Sequence, residues 1–96
     1  MKLGSTIQKI RKEKQLTQSE FSKQCGITQT YLSQIENDLK EPNLSTLKNI
    51  GEQLSVPLPI LFFLALTEDD IQPDKRKGYD IIGPAVKSLV NEFFKV

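Results

Sequence analysis

Apolar residues recur at helical spacings from Leu3 to Leu66, and each run is broken by a capping or turn residue. Ile7 and Ile10, joined by Leu3 from the start of the chain and Leu16 from the following turn, predict a first helix over about Ser5 to Lys14. Thr17 reads as a cap with Glu20 three residues later, so a capping box opens a second helix, Gln18 to Gln24, that buries Phe21 and Cys25. Gly26 ends it, because glycine takes the left-handed conformation of a sharp exit. Thr28 caps a third helix, Gln29 to Glu36, whose inward face is Leu32 and Ile35, supported by Ile27. After the connection DLKEPN, Asn43 or Ser45 caps a fourth helix carrying Leu44, Leu47, Ile50 and Leu54. Pro57 and Pro59 fit the first turn of a fifth, where a missing amide donor matters least, and its body from Ile60 to Leu66 is apolar on nearly every side.

Beyond Leu66 the pattern changes in kind. Thr67 to Gly78 reads as an exposed linker, acidic and then basic. Tyr79 to Ile82 can form one turn before Gly83 and Pro84 interrupt it, and Pro84 to Lys95 predicts a last helix with Val86, Leu89, Val90 and Phe93 on one stripe and Phe94 beside it. No stretch shows a strand pattern. The expected architecture is all-α: a five-helix domain over residues 1–66, a linker over 67–78, and a C-terminal helical extension over 79–96.

Composition narrows the function. With 96 residues, 26% of them charged and 38% hydrophobic, the chain holds one small core and has no room for a second catalytic domain. It has no histidine and one cysteine, which leaves no disulfide framework and no usual zinc site; Cys25 reads as a small buried hydrophobe. Ser33 and Cys25 lack an imidazole base and there is no phosphate-binding glycine motif, so neither an enzyme nor a cofactor is expected. VPLPILFFLAL is too short and too broken by proline to cross a bilayer; a cytoplasmic protein without a membrane partner is expected. Residues 67–96 are too few for an effector domain, so no small-molecule effector is evident. The net charge is only +1, yet residues 1–25 carry Lys2, Lys9, Arg11, Lys12, Lys14 and Lys23 against Glu13 and Glu20, a local excess of +4.

That excess lies beside a helix of unusual chemistry. Leu32 and Ile35 anchor the third helix and leave Gln29, Thr30, Ser33, Gln34 and Asn37 free, amides and hydroxyls where an ordinary solvent face carries lysine and glutamate. A glutamine amide can donate to and accept from adenine N6 and N7 in one plane, which makes Gln29 and Gln34 candidate readers of bases; the Thr30 methyl suits a thymine methyl. Thr17 and Gln18, at a helix N-terminus, suit a backbone phosphate, as does Thr28 at the next cap. Tyr31, Asn37, Lys40 and Arg11 are further candidates for backbone contact. Double-stranded DNA is thus the expected partner, with a nucleoid-associated location.

The segments IQKIRKEKQLTQSEFSKQCGITQTYLSQIEN and PNLSTLKNIGEQLSVPLPILF resemble the lambda-repressor-type helix-turn-helix domain, the Cro/C1 or XRE family, over residues 5–63. The resemblance implies a transcriptional regulator, commonly a dimer at a pseudopalindromic operator. It assigns a phosphate contact to Gln18, base reading to Gln29 and Gln34, and a backbone contact to Asn37. It also implies a pair between Arg11 and Glu36 that fixes the third helix while leaving arginine donors for phosphate. The chain departs from its relatives in placing Asp38 where many have glycine, and Glu41 adds a second acid near the phosphate track.

A domain this small reads few base pairs, so two-fold pairing is the expected route to specificity. Leu61, Phe62 and Leu64 with Val86, Leu89, Val90, Phe93 and Phe94 are expected to form a core between subunits. The competing arrangement folds the tail back over Phe62 or Phe63 of its own domain. Two other roles fit the same fold: an antitoxin or restriction controller that represses its own operon, with a toxin or other regulatory protein as partner, and an interaction module that no longer touches DNA.

Overall fold

The helices begin where side chains capture orphan backbone donors. In the computed structural model, which describes residues 1–95, Thr17 Oγ1 accepts from the Glu20 amide at 3.0 Å and the Glu20 carboxylate accepts from the Thr17 amide at 3.0 Å. Thr28 Oγ1 accepts from the Tyr31 amide at 3.0 Å and Asn43 Oδ1 from the Thr46 amide at 2.8 Å. These caps open α2 (Gln18–Cys25), α3 (Gln29–Glu36) and α4 (Leu44–Leu54), and Gly26 closes α2 at φ 68°. Before them lies α1 (Leu3–Glu13) and after them α5 (Leu58–Ala65), which starts behind Pro57. Two short 3-10 turns, Glu68–Asp70 and Pro73–Lys75, lead into α6 (Arg76–Phe94). Among the described residues there is no strand.

α1 starts two residues earlier than its periodicity predicts. Its N-cap, Lys2, gives no side-chain cap; instead its amide donates to the Ala65 carbonyl at 2.8 Å, so the end of α5 fixes the entry of α1. Gly4 follows at once and faces the end of α3. A Cβ there would collide with the carbonyl oxygen of Ile35, so the close crossing of α1 over α3 requires glycine.

Ile7, Phe21, Leu32, Ile35, Ile50, Leu54, Val56 and Leu61 fill the core, with α1 between α3 and α5 and α2 between α3 and α4. Leu61 is fully buried in this core. Its expected place in a contact between subunits is therefore corrected: an all-apolar helix gave no sequence cue to its inward side. Phe62 and Leu64 are half-buried against the same cluster. Cys25 is buried, and loss of water pushes its thiol up to about 11, so it stays protonated at neutral pH.

The tail also differs from expectation. The linker ends at Lys75, and α6 runs unbroken through Gly83 and Pro84. Proline lacks the N–H that would bond back to Asp80, but the flanking turns hold the helix together. Gly83 is the close-packed position: a Cβ there would stand 3.3 Å from the Tyr79 ring. Tyr79 Oη donates to the Leu66 carbonyl at 3.3 Å, Arg76 Nε to the carbonyls of Glu68 and Ile71, and the Met1 amine pairs with Asp70 at 2.8 Å. Val90 is buried within the chain, so it too leaves the expected intersubunit set, and Phe94 lines a hollow with Gly51, Val56 and Leu58. The tail thus folds partly back on its own domain.

Candidate nucleic-acid interface

α3 presents its polar side because its apolar side is spent. Leu32 and Ile35 are buried, whereas Gln29 and Thr30 are exposed and Ser33 and Gln34 half-exposed. Gln18, at the first turn of α2, joins Gln29, Thr30, Ser33 and Gln34 around one shallow open depression. The two helices therefore converge on a single surface rich in paired donors and acceptors. Tyr31 is half-buried against the core. Asn37, at the C-cap, donates its amide to the Ser33 carbonyl at 2.8 Å and stays exposed, as does Lys40 in the connection that follows.

Behind this surface stands one buried carboxylate. Glu36 accepts from Arg11 Nε at 2.7 Å and Nη2 at 3.0 Å, a two-pronged pair, and from Gln18 Nε2 at 3.0 Å. Arg11 Nη1 donates to the Leu16 carbonyl at 2.7 Å. Together Arg11, Gln18 and Glu36 thus join α1, the turn after it, α2 and the end of α3. Arg11 is only 5% exposed, so it supports α3 from within and is not the free phosphate contact that its charge suggested.

Residues 7–61 match the family described as Helix-turn-helix. The chain belongs to this Cro/C1-type helix-turn-helix family. The protein is accordingly a DNA-binding transcriptional regulator with double-stranded DNA as its partner, not an enzyme. It is similar to the ImmF control region 10 kDa protein of Bacillus phage phi105, 42% identical over 82% of either chain. It is also similar to the immunity repressor protein of that phage, 38% identical over 58% of this chain and 39% of the relative. A third relative is control protein C.MunI of Mycoplasma sp, 36% identical over 65% of this chain and 85% of the other. The first match covers 79 residues, so it has to extend past Ala65 into the tail. No helix of the described residues is long and apolar enough to cross a membrane.

One residue that supports this helix-turn-helix surface escaped sequence reasoning. Asn49, on α4, donates its amide to the Cys25 carbonyl at 2.6 Å and so ties down the end of α2; a lone amide in an amphipathic helix carries no signal of a partner 24 residues away. Asp38 adopts φ 58°, a left-handed conformation that glycine takes without strain. Lys9 lies with Thr6, Glu13, Leu64, Lys87 and Asn91 in the cleft under α6, on the side of α1 turned away from α3. Its charge therefore adds to the local excess of residues 1–25 without standing beside Gln29 and Gln34. Thr17 and Thr28 keep their hydroxyls engaged as caps while their exposed helix starts still face solvent. In the α2 box, the Thr17 amide and hydroxyl hold the Glu20 carboxyl below its usual range.

Proposed function

We propose that the protein is a dimeric repressor that reads a pseudopalindromic operator, with Gln29, Thr30 and Gln34 at the base edges. Thr17, Gln18, Thr28, Tyr31, Asn37 and Lys40 hold the phosphate backbone in this reading. The observation that carries it is the shared face of Gln18, Gln29, Thr30, Ser33 and Gln34, clamped from behind by the Glu36 carboxylate. A fixed amide discriminates between bases because a wrong base leaves its donor or acceptor unpaired. The names of the phage relatives, immunity repressor and control region protein, support repression as the outcome of occupancy. The relative named as a control protein favours, as a second reading, a controller that represses its own operon through the same DNA-binding step. Either role places the protein on DNA in the cytoplasm.

Selection of bound sequences from a random duplex pool tests the proposal. Two related half-sites in opposite orientation are expected, and Gln29→Ala is expected to lose about tenfold or more of the preference at one base pair of each half, the worth of a good paired contact. Recovery of sequences with no shared preference would overturn it.

A further inference from the structure

α6 carries more apolar surface than its own domain covers. With about 100° between successive residues, Tyr79, Gly83, Val90 and Phe94 share one side. That side turns inward, since Gly83 and Val90 are buried and Tyr79 bonds to the Leu66 carbonyl. A second stripe lies about a third of a turn round the helix. It consists of Ile82, Ala85, Leu89 and Phe93 with Ile81 at its edge. Ile81, Ile82, Leu89 and Phe93 are 68%, 61%, 54% and 76% exposed. Four large apolar side chains in one continuous row form the kind of patch that marks an interaction surface.

We propose that this stripe pairs with the same stripe of a second copy, antiparallel, about a two-fold axis passing between Ala85 and Val86. The proposal rests on the dimeric reading above and names its interface. The stripe complements itself about that axis: Ile82 of each copy meets Leu89 of the other, and Phe93 meets Gly78. Apart from the helix's own backbone and the adjoining residues, nothing lies within 4 Å of where a Cβ of Gly78 would stand, which leaves a notch for the aromatic ring. Lys77 flanks the start of the stripe and Glu92 its end, on the same edge. Antiparallel pairing sets each lysine beside the opposite glutamate, as a self-complementary contact requires. α5 offers no equivalent surface, because Leu61 and Ala65 are buried in their own subunit. A single helix pair falls short of the roughly 800 Å² per partner of a standard interface, so the free dimer is weak and responds to concentration.

Sedimentation of the full chain without DNA tests the interface. The apparent mass of the wild type is expected to double as concentration rises. Phe93→Glu is expected to weaken self-association by about thirtyfold or more, the size of an interface hot spot. Its helical circular dichroism and its binding to a duplex holding one half-site stay unchanged. Ala85→Cys, beside the axis, is expected to give a disulfide dimer when a mild two-electron oxidant takes one hydrogen from each thiol. Ser88→Cys, off the stripe, gives none, and buried Cys25 does not compete. A wild type that stays monomeric at every concentration, a Phe93→Glu protein that associates like the wild type, or cross-linking through Ser88→Cys alone would each overturn the interface. A dimer that behaves as expected but prefers no duplex sequence would leave the interface standing and remove the operator.

Discussion

Glu36 is the residue that ties the polar face of α3 to α1 and α2. Its carboxylate is desolvated, and three hydrogen bonds from Arg11 and Gln18 compensate it. Removing one partner of such a pair leaves an uncompensated buried charge, so Glu36→Ala is expected to lower unfolding stability by about 3–5 kcal/mol in urea titration. Asp38 lies at the other extreme. Its left-handed conformation strains a side chain, and its carboxylate lies at the negative end of α3. Asp38→Gly is expected to gain about 1 kcal/mol of stability and, with one acid fewer near the phosphates, to bind unrelated duplexes more tightly. Thermal unfolding and a nonspecific duplex titration check the two halves separately. Sequence exposed the departure at Asp38 but not the conformation that makes it costly. The Arg11–Glu36 pair was implied by resemblance, yet its burial was not, because burial arises from packing across 25 residues of chain.

Elements that begin with a local signal were legible in the sequence. α2, α3 and α4 start at Thr17, Thr28 and Asn43 because each cap acts within its own turn, and a window of four residues contains the whole cause. α1 and α6 start from distant bonds, at the Ala65 carbonyl and around the carbonyls of Glu68 and Ile71, so their bounds were misread. Gly83 and Pro84 read as a break because proline costs a helical bond. The Tyr79 ring over Gly83 and the bond from Tyr79 to Leu66 show what the continuous helix gains in return. The α2 box carries a pH signature. Glu20 has a lowered pKa in the folded chain, so its contribution is complete above the unfolded carboxyl value of about 4.3 and disappears as pH falls through the lower folded value. Thr17→Ala is expected to cost about 1 kcal/mol at neutral pH and to flatten this acid-side loss of helicity, which circular dichroism over an acid titration reads directly.

At the scale of the whole molecule, charge is sorted by side. Arg11 is neutralised inside, Lys9 and Lys87 share the cleft under α6, and Lys40 stays exposed beyond the end of α3. The salt dependence of operator binding is therefore expected to fall by about one unit of logarithmic slope for Lys40→Ala and to stay unchanged for Lys9→Ala. Affinity titrations over a range of salt decide between them. The +4 excess of residues 1–25 correctly suggested a polyanion partner, but a count along the chain cannot tell the face of α1 toward α3 from the face under α6.

The clamp at Glu36 grips α3 at its last turn, so any residual swing of that helix pivots there. At about 1.5 Å per residue, Gln34 lies about 3 Å from the pivot and Gln29 about 10 Å. A given rotation thus carries Gln29 roughly three times as far as Gln34. If the proposed base contacts hold, letters met by Gln34 would be held to a narrow choice, while those met by Gln29 would drift further before binding is lost.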